Sequence, residues 1–389
     1  MSIDAIRQFI KKSVPVPIIM NTLRLILTMP ASSARFLIKD LTKPTQLQSQ
    51  WIKYIAKDHW KGAFIGPSLA SATESEAVAQ VSQADLVIFN IHGGAFRVGH
   101  CTMYMDAFIR WLQLLKTRHG LNAVIFSIEY GLAPENKYPG PVMECMAAFE
   151  YLTKTLQVPA CQIVLTGDSA GGTLCLETLV RLFAPDLMDE DGGDAADTAA
   201  ARCSSDHHDI DIPAGLVLVS PLVSPNTEAW LWQQNDFVSP RLAACVQHEY
   251  FNVSTESIAD LPLSRLSLLE SDFVRFLPQH LAVYVGNREV MRDDILTMAR
   301  RITQDHLRHG RGVHVNIYSE DYAHDWYFIR EIVPVRQRAA IFDKHDAQFT
   351  DFCVHALQQT VKANKAVPVV QIGKQQPMTS MIATRDTVI

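Results

Sequence analysis

Gly167-Asp168-Ser169-Ala170-Gly171-Gly172 follows the apolar run Gln162 to Thr166 and leads into a helix-like stretch from Thr173 to Phe183. A strand that turns sharply into a helix at Gly-x-Ser-x-Gly lifts the serine hydroxyl above the sheet edge, where it can attack a carbonyl. Glycines on either side let the turn close because they carry no Cβ. Attack on an ester carbonyl creates an oxyanion, which preorganised backbone N–H groups stabilise better than water does. Upstream, His92-Gly93-Gly94-Ala95-Phe96 leaves the apolar run Leu86 to Ile91. The N–H groups of Gly93 and Gly94 are therefore candidate donors, completed by the N–H of Ala170, the residue after the serine. Ala95 stands at a third loop position and keeps its N–H; His92 reads as a structural hydrogen-bonding residue, because it precedes the loop.

A serine nucleophile needs a base, and the base needs an orienting carboxylate. His324 follows the strand-like run Val313 to Tyr318, and none of the fourteen histidines is better placed for the base. His207 and His208 lie in a polar insertion, His306, His345 and His355 in helical patterns, and His309 at a helix end. Three carboxylates follow the apolar run Leu281 to Val285: Glu289, Asp293 and Asp294. Glu289 sits on the loop itself and is the preferred acid. Asp293 and Asp294 fall where a helix begins, a position that favours acidic residues through the helix dipole. Asp294 stays as the alternative acid.

These groups must be held by a scaffold, and the chain supplies one in alternation. Strands are expected at 86–91, 122–128, 162–167, 215–220, 280–286 and 312–318, with helices at 103–118, 141–157, 170–184, 290–307 and 346–364. Such alternation predicts an α/β domain with a mostly parallel sheet, helices on both faces and loops at the carboxyl ends of the strands. Hydrophobic residues make up 48% of the 389 and charged residues 20%, as in an ordinary globular protein able to bury a large core. A formal net charge of −6 argues against a nucleic-acid partner. The seven cysteines have no regular spacing; Cys145, Cys161, Cys175 and Cys353 read as thiols, and no metal motif is seen.

His-Gly-Gly at 92–94, Gly-Asp-Ser-Ala-Gly-Gly at 167–172, and the intervening Glu129-Tyr130-Gly131-Leu132-Ala133-Pro134-Glu135 through Tyr138-Pro139 together resemble the hormone-sensitive-lipase-like branch of the α/β-hydrolases. The resemblance runs from about Trp60 to Asn364, and Gly286 to Asp293 matches the branch's Gly-x-x-Asp-x-Leu-Arg-Asp pattern with Glu289 in the acid position and Met291 for Leu. Glu at that position and His324-Asp325-Trp326 look most like fungal steryl acetyl hydrolases and arylacetamide deacetylases. The resemblance implies an α/β-hydrolase fold with a helical lid, Tyr130, Pro134 and Glu135 as scaffold, no cofactor, and a small acyl ester of a bulky apolar alcohol, or an arylamide, as substrate.

Residues 1–60 read as helices, and 226–279, with Trp230, Trp232, Phe237, Tyr250 and Phe251, interrupts the alternation; the two are expected to cover Ser169, with 61–364 as the catalytic domain. The aromatics either face substrate or fill a small subdomain core. The stretch 186–211 reads as an acidic flexible insertion and 365–389 as a loose tail. Val14 to Met29 is too interrupted to span a membrane and lacks a signal-peptide cleavage pattern. Ile18, Ile19, Leu23, Ile26 and Leu27 recur at helical spacing beside Arg7, Lys11, Lys12 and Arg24, which suits a lid helix, a helix lying on a membrane or lipid surface, or both. The expected location is intracellular, in the cytoplasm or peripherally on such a surface; the oligomeric state is not legible. The sequence thus reads as a serine carboxylester hydrolase acting through Ser169, His324 and Glu289, with a catalytically silent receptor on the same fold, or an amidase or acyltransferase, as the alternatives.

Overall fold

The computed structural model describes residues 14–188, 211–225, 236–252, 261–309 and 312–366. Most of the acidic insertion, the tail beyond 366, and Arg7, Lys11, Lys12, Trp230, Trp232, His207 and His208 lie outside the described residues.

Eight strands form one sheet in the order β1-β2-β4-β3-β5-β6-β7-β8. They are β1 (Ile52–Lys57), β2 (Trp60–Ile65), β3 (Leu86–Ile91), β4 (Ala123–Glu129), β5 (Ile163–Asp168), β6 (Gly215–Val219), β7 (His280–Gly286) and β8 (His314–Glu320). Strands β3 to β8 are mutually parallel, and β2 joins them antiparallel through β4. Every residue of β3, β5, β6 and β7 is buried, the consequence of a parallel sheet covered on both faces, so these strands read as unbroken apolar runs. The hairpin β1–β2 corrects the reading of residues 1–60 as helical, and the boundary set at residue 60 falls inside it. On β1 only Ile52 and Ile55 are buried, so its pattern has neither strict alternation nor an apolar run.

The helices are α1 (Val16–Leu27), α2 (Ala31–Thr42), α3 (Gln46–Ser49), α4 (Glu74–Ser82), α5 (Met105–His119), α6 (Gly140–Glu150), α7 (Ala170–Phe183), α8 (Pro240–Val246), α9 (Pro262–Leu268), α10 (Arg292–His309) and α11 (Val335–Ala366). A Cβ on Gly167 would point at Gly171 and Cys175 of α7, and one on Gly215 at Phe352 and Ala356 of α11. Gly215 lies beside Val164 in register, three residues from Gly167 along β5, so α7 and α11 cover opposite faces. The strand order reverses between β3 and β5, with β4 on one side and β5 on the other. In open sheets of this kind the crevice for a ligand opens at such a reversal, beyond the carboxyl ends of the strands. Here those ends lead into the His92–Phe96 loop and Ser169.

Over this crevice lie α1, α2 and the segment 236–251. Arginines hold them down. Arg97, 2% exposed, donates from Nη1 to the carbonyl of Leu27 at 2.6 Å and from Nη2 to that of Met29 at 3.1 Å, and pairs with Glu249 at 2.5 Å. Arg35 donates to the carbonyls of Arg97 and Ala133, and Arg24 to that of Asp236. Stripping a partner from such a buried ion typically costs about 3–5 kcal/mol, so Arg97 ties the cover firmly to the domain.

Candidate active site

Ser169 occupies the turn from β5 into α7 at φ 47° and ψ −117°, backbone strain that costs on the order of 1–3 kcal/mol. The surrounding main chain over-determines it: its N–H donates to Val219 at 2.9 Å and its carbonyl accepts from Leu222 at 3.1 Å. Space, rather than backbone angle, demands the flanking glycines. A Cβ on Gly171 would lie 2.0 Å from the carbonyl oxygen of Ile91, and one on Gly167 would lie 2.5 Å from that of Gly171.

The loop after β8 brings His324 to this serine, with Nε2 2.9 Å from Ser169 Oγ. On the other side of the ring, Nδ1 lies 3.8 Å from Oε2 of the fully buried Glu289, which comes from the loop after β7. The Ser220 hydroxyl donates to that same Oε2 at 2.5 Å. Asp236 fixes the Glu289 loop by accepting the N–H of Val290 at 2.8 Å. The alternative acids are elsewhere: Asp293 is exposed and pairs with Arg292 at 2.8 Å, and no contact joins Asp294 to His324 among the described residues. Next to His324 in sequence, Asp325 places Oδ2 3.2 Å from Nε2.

Burial alone would pull the imidazole pKa down, but the carboxylates of Asp325, Asp236 and Glu289 outweigh it and push His324 up to about 10. Burial pushes Glu289 up to about 8, against the pull of His324. Asp168 is raised well above the usual carboxylate range by burial and by Asp325, even though Tyr104 donates to its Oδ2 at 2.5 Å.

The oxyanion loop departs from expectation at one residue. The N–H of Gly93 donates to Asp168 Oδ1 at 2.9 Å, and a Cβ on Gly93 would lie 2.2 Å from Asp168 Oδ2. Gly93 is thus committed to a carboxylate behind the loop and is not a free donor for an oxyanion. Gly94, Ala95 and Ala170 line the cavity beside Ser169 instead. The loop makes this turn with φ 108° at Gly94, 55° at Ala95 and 58° at Phe96. His92 is buried, stacked on Tyr130 at 4.3 Å, and receives a hydrogen bond from Tyr130 at its carbonyl, a structural role.

The cavity above Ser169 and His324 has a volume of about 280 Å³. Ile19, Leu23 and Ile26 of α1, Ile38 of α2, and Phe237 and Leu242 near α8 form much of its wall. Of the aromatics noted in the sequence that lie among the described residues, Phe237 faces the cavity. Tyr250 and Phe251 pack instead against Phe96 and Tyr138 as subdomain core, Tyr250 stacking on Phe96 at 3.7 Å. No group of three or more His, Cys, Asp or Glu side chains among the described residues is arranged to hold a metal ion.

A serine on a strained strand–helix turn, a histidine against it and a glycine loop on the neighbouring strand form the arrangement that a family model for the alpha/beta hydrolase fold matches over residues 88–327, more than half of the chain. The chain belongs to the α/β-hydrolase family. Within that family it is similar to hormone-sensitive lipase of Mus musculus, 32% identical over 116 residues that cover 29% of this chain and 14% of that protein. It is also similar to Lipase 2 of Moraxella sp. (strain TA144), 24% identical over 259 residues, 64% of this chain and 55% of that one. The chain therefore spans well under two thirds of the length of either relative. Among solved structures, an esterase from the bacterial hormone-sensitive lipase family superposes on this α/β-hydrolase with a TM-score of 0.61 at 19% identity, covering 88% of this chain and 98% of the other. An esterase/lipase from an uncultured bacterium gives 0.61 at 17%, covering 89% and 100%. These likenesses show the shared fold.

Ser220, Asp236 and the carboxylate of Asp325 were not singled out by sequence. Ser220 directly follows β6 and Asp236 sits in an irregular segment 54 residues before Val290, so only the folded chain brings them together. Asp325 carries a local signal, since it adjoins the base.

Proposed function

We propose that this α/β-hydrolase is a serine carboxylester hydrolase in which Ser169, His324 and Glu289 act as one unit. The 2.9 Å approach of His324 Nε2 to Ser169 Oγ, at the floor of an apolar cavity, carries the reading. Ser169 attacks the ester carbonyl as its proton passes to His324; Glu289 holds the ring with Nδ1 toward itself and stabilises the charged form. The carbonyl oxygen, now negative, is met by the N–H groups of Gly94, Ala95 and Ala170, and each donor is worth roughly 3 kcal/mol of barrier. His324 returns the proton to the leaving alcohol, then activates water against the acyl-enzyme. The contact at Nδ1 is 3.8 Å here, and such bonds often tighten only when substrate is bound. The apolar wall suits a bulky apolar alcohol, and the resemblance to fungal deacetylases favours a short acyl group. The relatives named as lipases and an esterase support ester chemistry over the silent-receptor reading. A fluorophosphonate should form one adduct on Ser169, seen by intact mass, with turnover fastest on short-chain p-nitrophenyl esters. A folded protein with no adduct and no turnover would favour a receptor; preference for long chains would reassign the substrate.

The outer face of the cover suits a lipid surface. Ile18 and Leu25, 55% and 60% exposed, lie seven residues apart on one side of α1, and Phe36 on α2 is 73% exposed. Lys39 and Lys43 are exposed on and just after α2, and residues 1–50 as a sequence hold seven Lys and Arg against two Asp, although Arg24 and Arg35 are turned to main-chain carbonyls. Apolar side chains beside excess positive charge favour an anionic interface. No helix among the described residues is long and apolar enough to cross a membrane. The protein is expected to float with phosphatidylserine-containing vesicles, and Leu25→Asp with Phe36→Asp to abolish flotation while leaving turnover of a soluble ester intact. Equal flotation of the double variant would count against this face.

A further inference from the structure

We propose that Asp325 is a second carboxylate partner of the catalytic imidazole, bound at the nitrogen that exchanges the proton with Ser169. This rests on the reading of His324 as the base. The same Nε2 lies 2.9 Å from Ser169 Oγ and 3.2 Å from Asp325 Oδ2, so one N–H faces both oxygens once the ring is charged. Glu289 reaches only the opposite nitrogen, at 3.8 Å, and its nearer oxygen already accepts from Ser220.

The backbone aims this carboxylate. Asp325 sits at φ 56°, a left-handed conformation that Asp and Asn tolerate better than most residues. Its N–H donates to Ser220 Oγ at 3.0 Å, and its carbonyl accepts from Phe328 at 3.0 Å and Ile329 at 2.7 Å. A merely structural Asp would cap the turn that follows with its side chain. Here the turn's N–H groups bond the main-chain carbonyl, and Oδ1 has no hydrogen-bond partner among the described residues although Asp325 is 4% exposed. Asp325 also lines the cavity beside Ser169.

The chemistry balances without a new reagent. As Ser169 attacks, its O–H bond breaks, the proton moves to Nε2, and the carbonyl π pair moves onto the carbonyl oxygen. Asp325 accepts a hydrogen bond from the resulting Nε2–H and takes no proton itself. When the intermediate collapses, the proton leaves Nε2 for the departing alcohol oxygen. Asp325 thus steadies the imidazolium between the two transfers, and in the free enzyme it favours the protonated ring, which cannot serve as the base.

Several charged groups surround this pair. Glu289 faces it from the β7 loop, Asp236 from the segment before α8, and Asp168, with Tyr104 donating to it, from β5. Arg24 is bonded to the carbonyl of Asp236, and Arg330, also at the cavity, pairs with Asp346. No cation among the described residues is seen paired with Asp325, which leaves His324 as its counter-charge.

Neutral His324 is the active form, so kcat/KM rises as pH rises through the imidazole pKa. Asp325→Asn keeps the shape and the left-handed backbone while removing the charge. Its acid limb is expected to move down by about 1–3 pH units. Below both limbs, the ratio of variant to wild-type kcat/KM then grows tenfold for each pH unit by which the limb moves. The His324 resonance in ¹⁵N-histidine spectra, assigned by its loss in His324→Gln, should titrate lower in Asp325→Asn by the same amount. An unmoved His324 titration overturns the assignment of Asp325, whether or not esters are turned over. A lowered titration in a protein that turns over no ester at any pH would leave Asp325 as the imidazole's partner and overturn the esterase reading instead. Loss of the folded melting transition in Asp325→Asn would make the residue structural and overturn the proposal.

Discussion

Ser169→Ala should lower kcat on p-nitrophenyl acetate by on the order of 10⁶-fold, because removing the nucleophile of a concerted unit costs about as much as removing the whole unit. Folding should survive, since the deleted hydroxyl bonds only to His324 among the described residues and the backbone bonds at 169 remain. Alanine must still adopt φ 47°, so a small fall in Tm is expected. The fluorophosphonate adduct should vanish with the activity. Undiminished turnover in a folded variant would move the nucleophile off Ser169 and leave the elbow as a structural turn.

Glu289→Gln should lower kcat by about 10⁴-fold, since an amide can donate toward Nδ1 and favours the wrong tautomer of the ring. Asp294→Asn should leave kcat close to wild type, because no contact joins Asp294 to His324. The comparison is sharper than either variant alone. Both replace a carboxylate with its amide in neighbouring parts of the chain, so they share any general effect of lost charge. The reverse ranking would transfer the acid's role to Asp294 and require the first turn of α10 to rearrange when substrate binds.

Much of this arrangement was legible because the chemistry sits where a regular scaffold puts it. The elbow at Ser169 and the glycine loop at 92–94 each follow a strand buried on both faces, visible as an unbroken apolar run. His324 instead follows the edge strand β8, none of whose residues is buried, and was legible from its place after the last strand. The β1–β2 hairpin was not visible, because half-exposed β1 mixes lysines and apolar residues without a clean period. Gly93 misled for another reason. A glycine before an oxyanion loop reads the same whether its N–H meets a substrate or a protein carboxylate, and the partner, Asp168, is 75 residues away. Ser220 and Asp236 are likewise joined to the site only by contacts distant in sequence. Arg97 gives no signal in sequence either: its burial becomes possible only once two backbone carbonyls and Glu249 surround it.

The way the cover is fastened bears on how freely its sequence can vary. Besides the Arg97–Glu249 and Arg35–Glu135 ion pairs, main-chain carbonyls at Asp236, Arg97, Ala133, Leu27 and Met29 accept from Arg24, Arg35 and Arg97. A carbonyl is present whatever side chain its residue carries. The side chains that shape the cavity, such as Ile19, Leu23 and Ile38, therefore take no part in these anchors. Ligand preference in such a scaffold can drift by exchange of wall residues, with the anchors and the reacting atoms left in place.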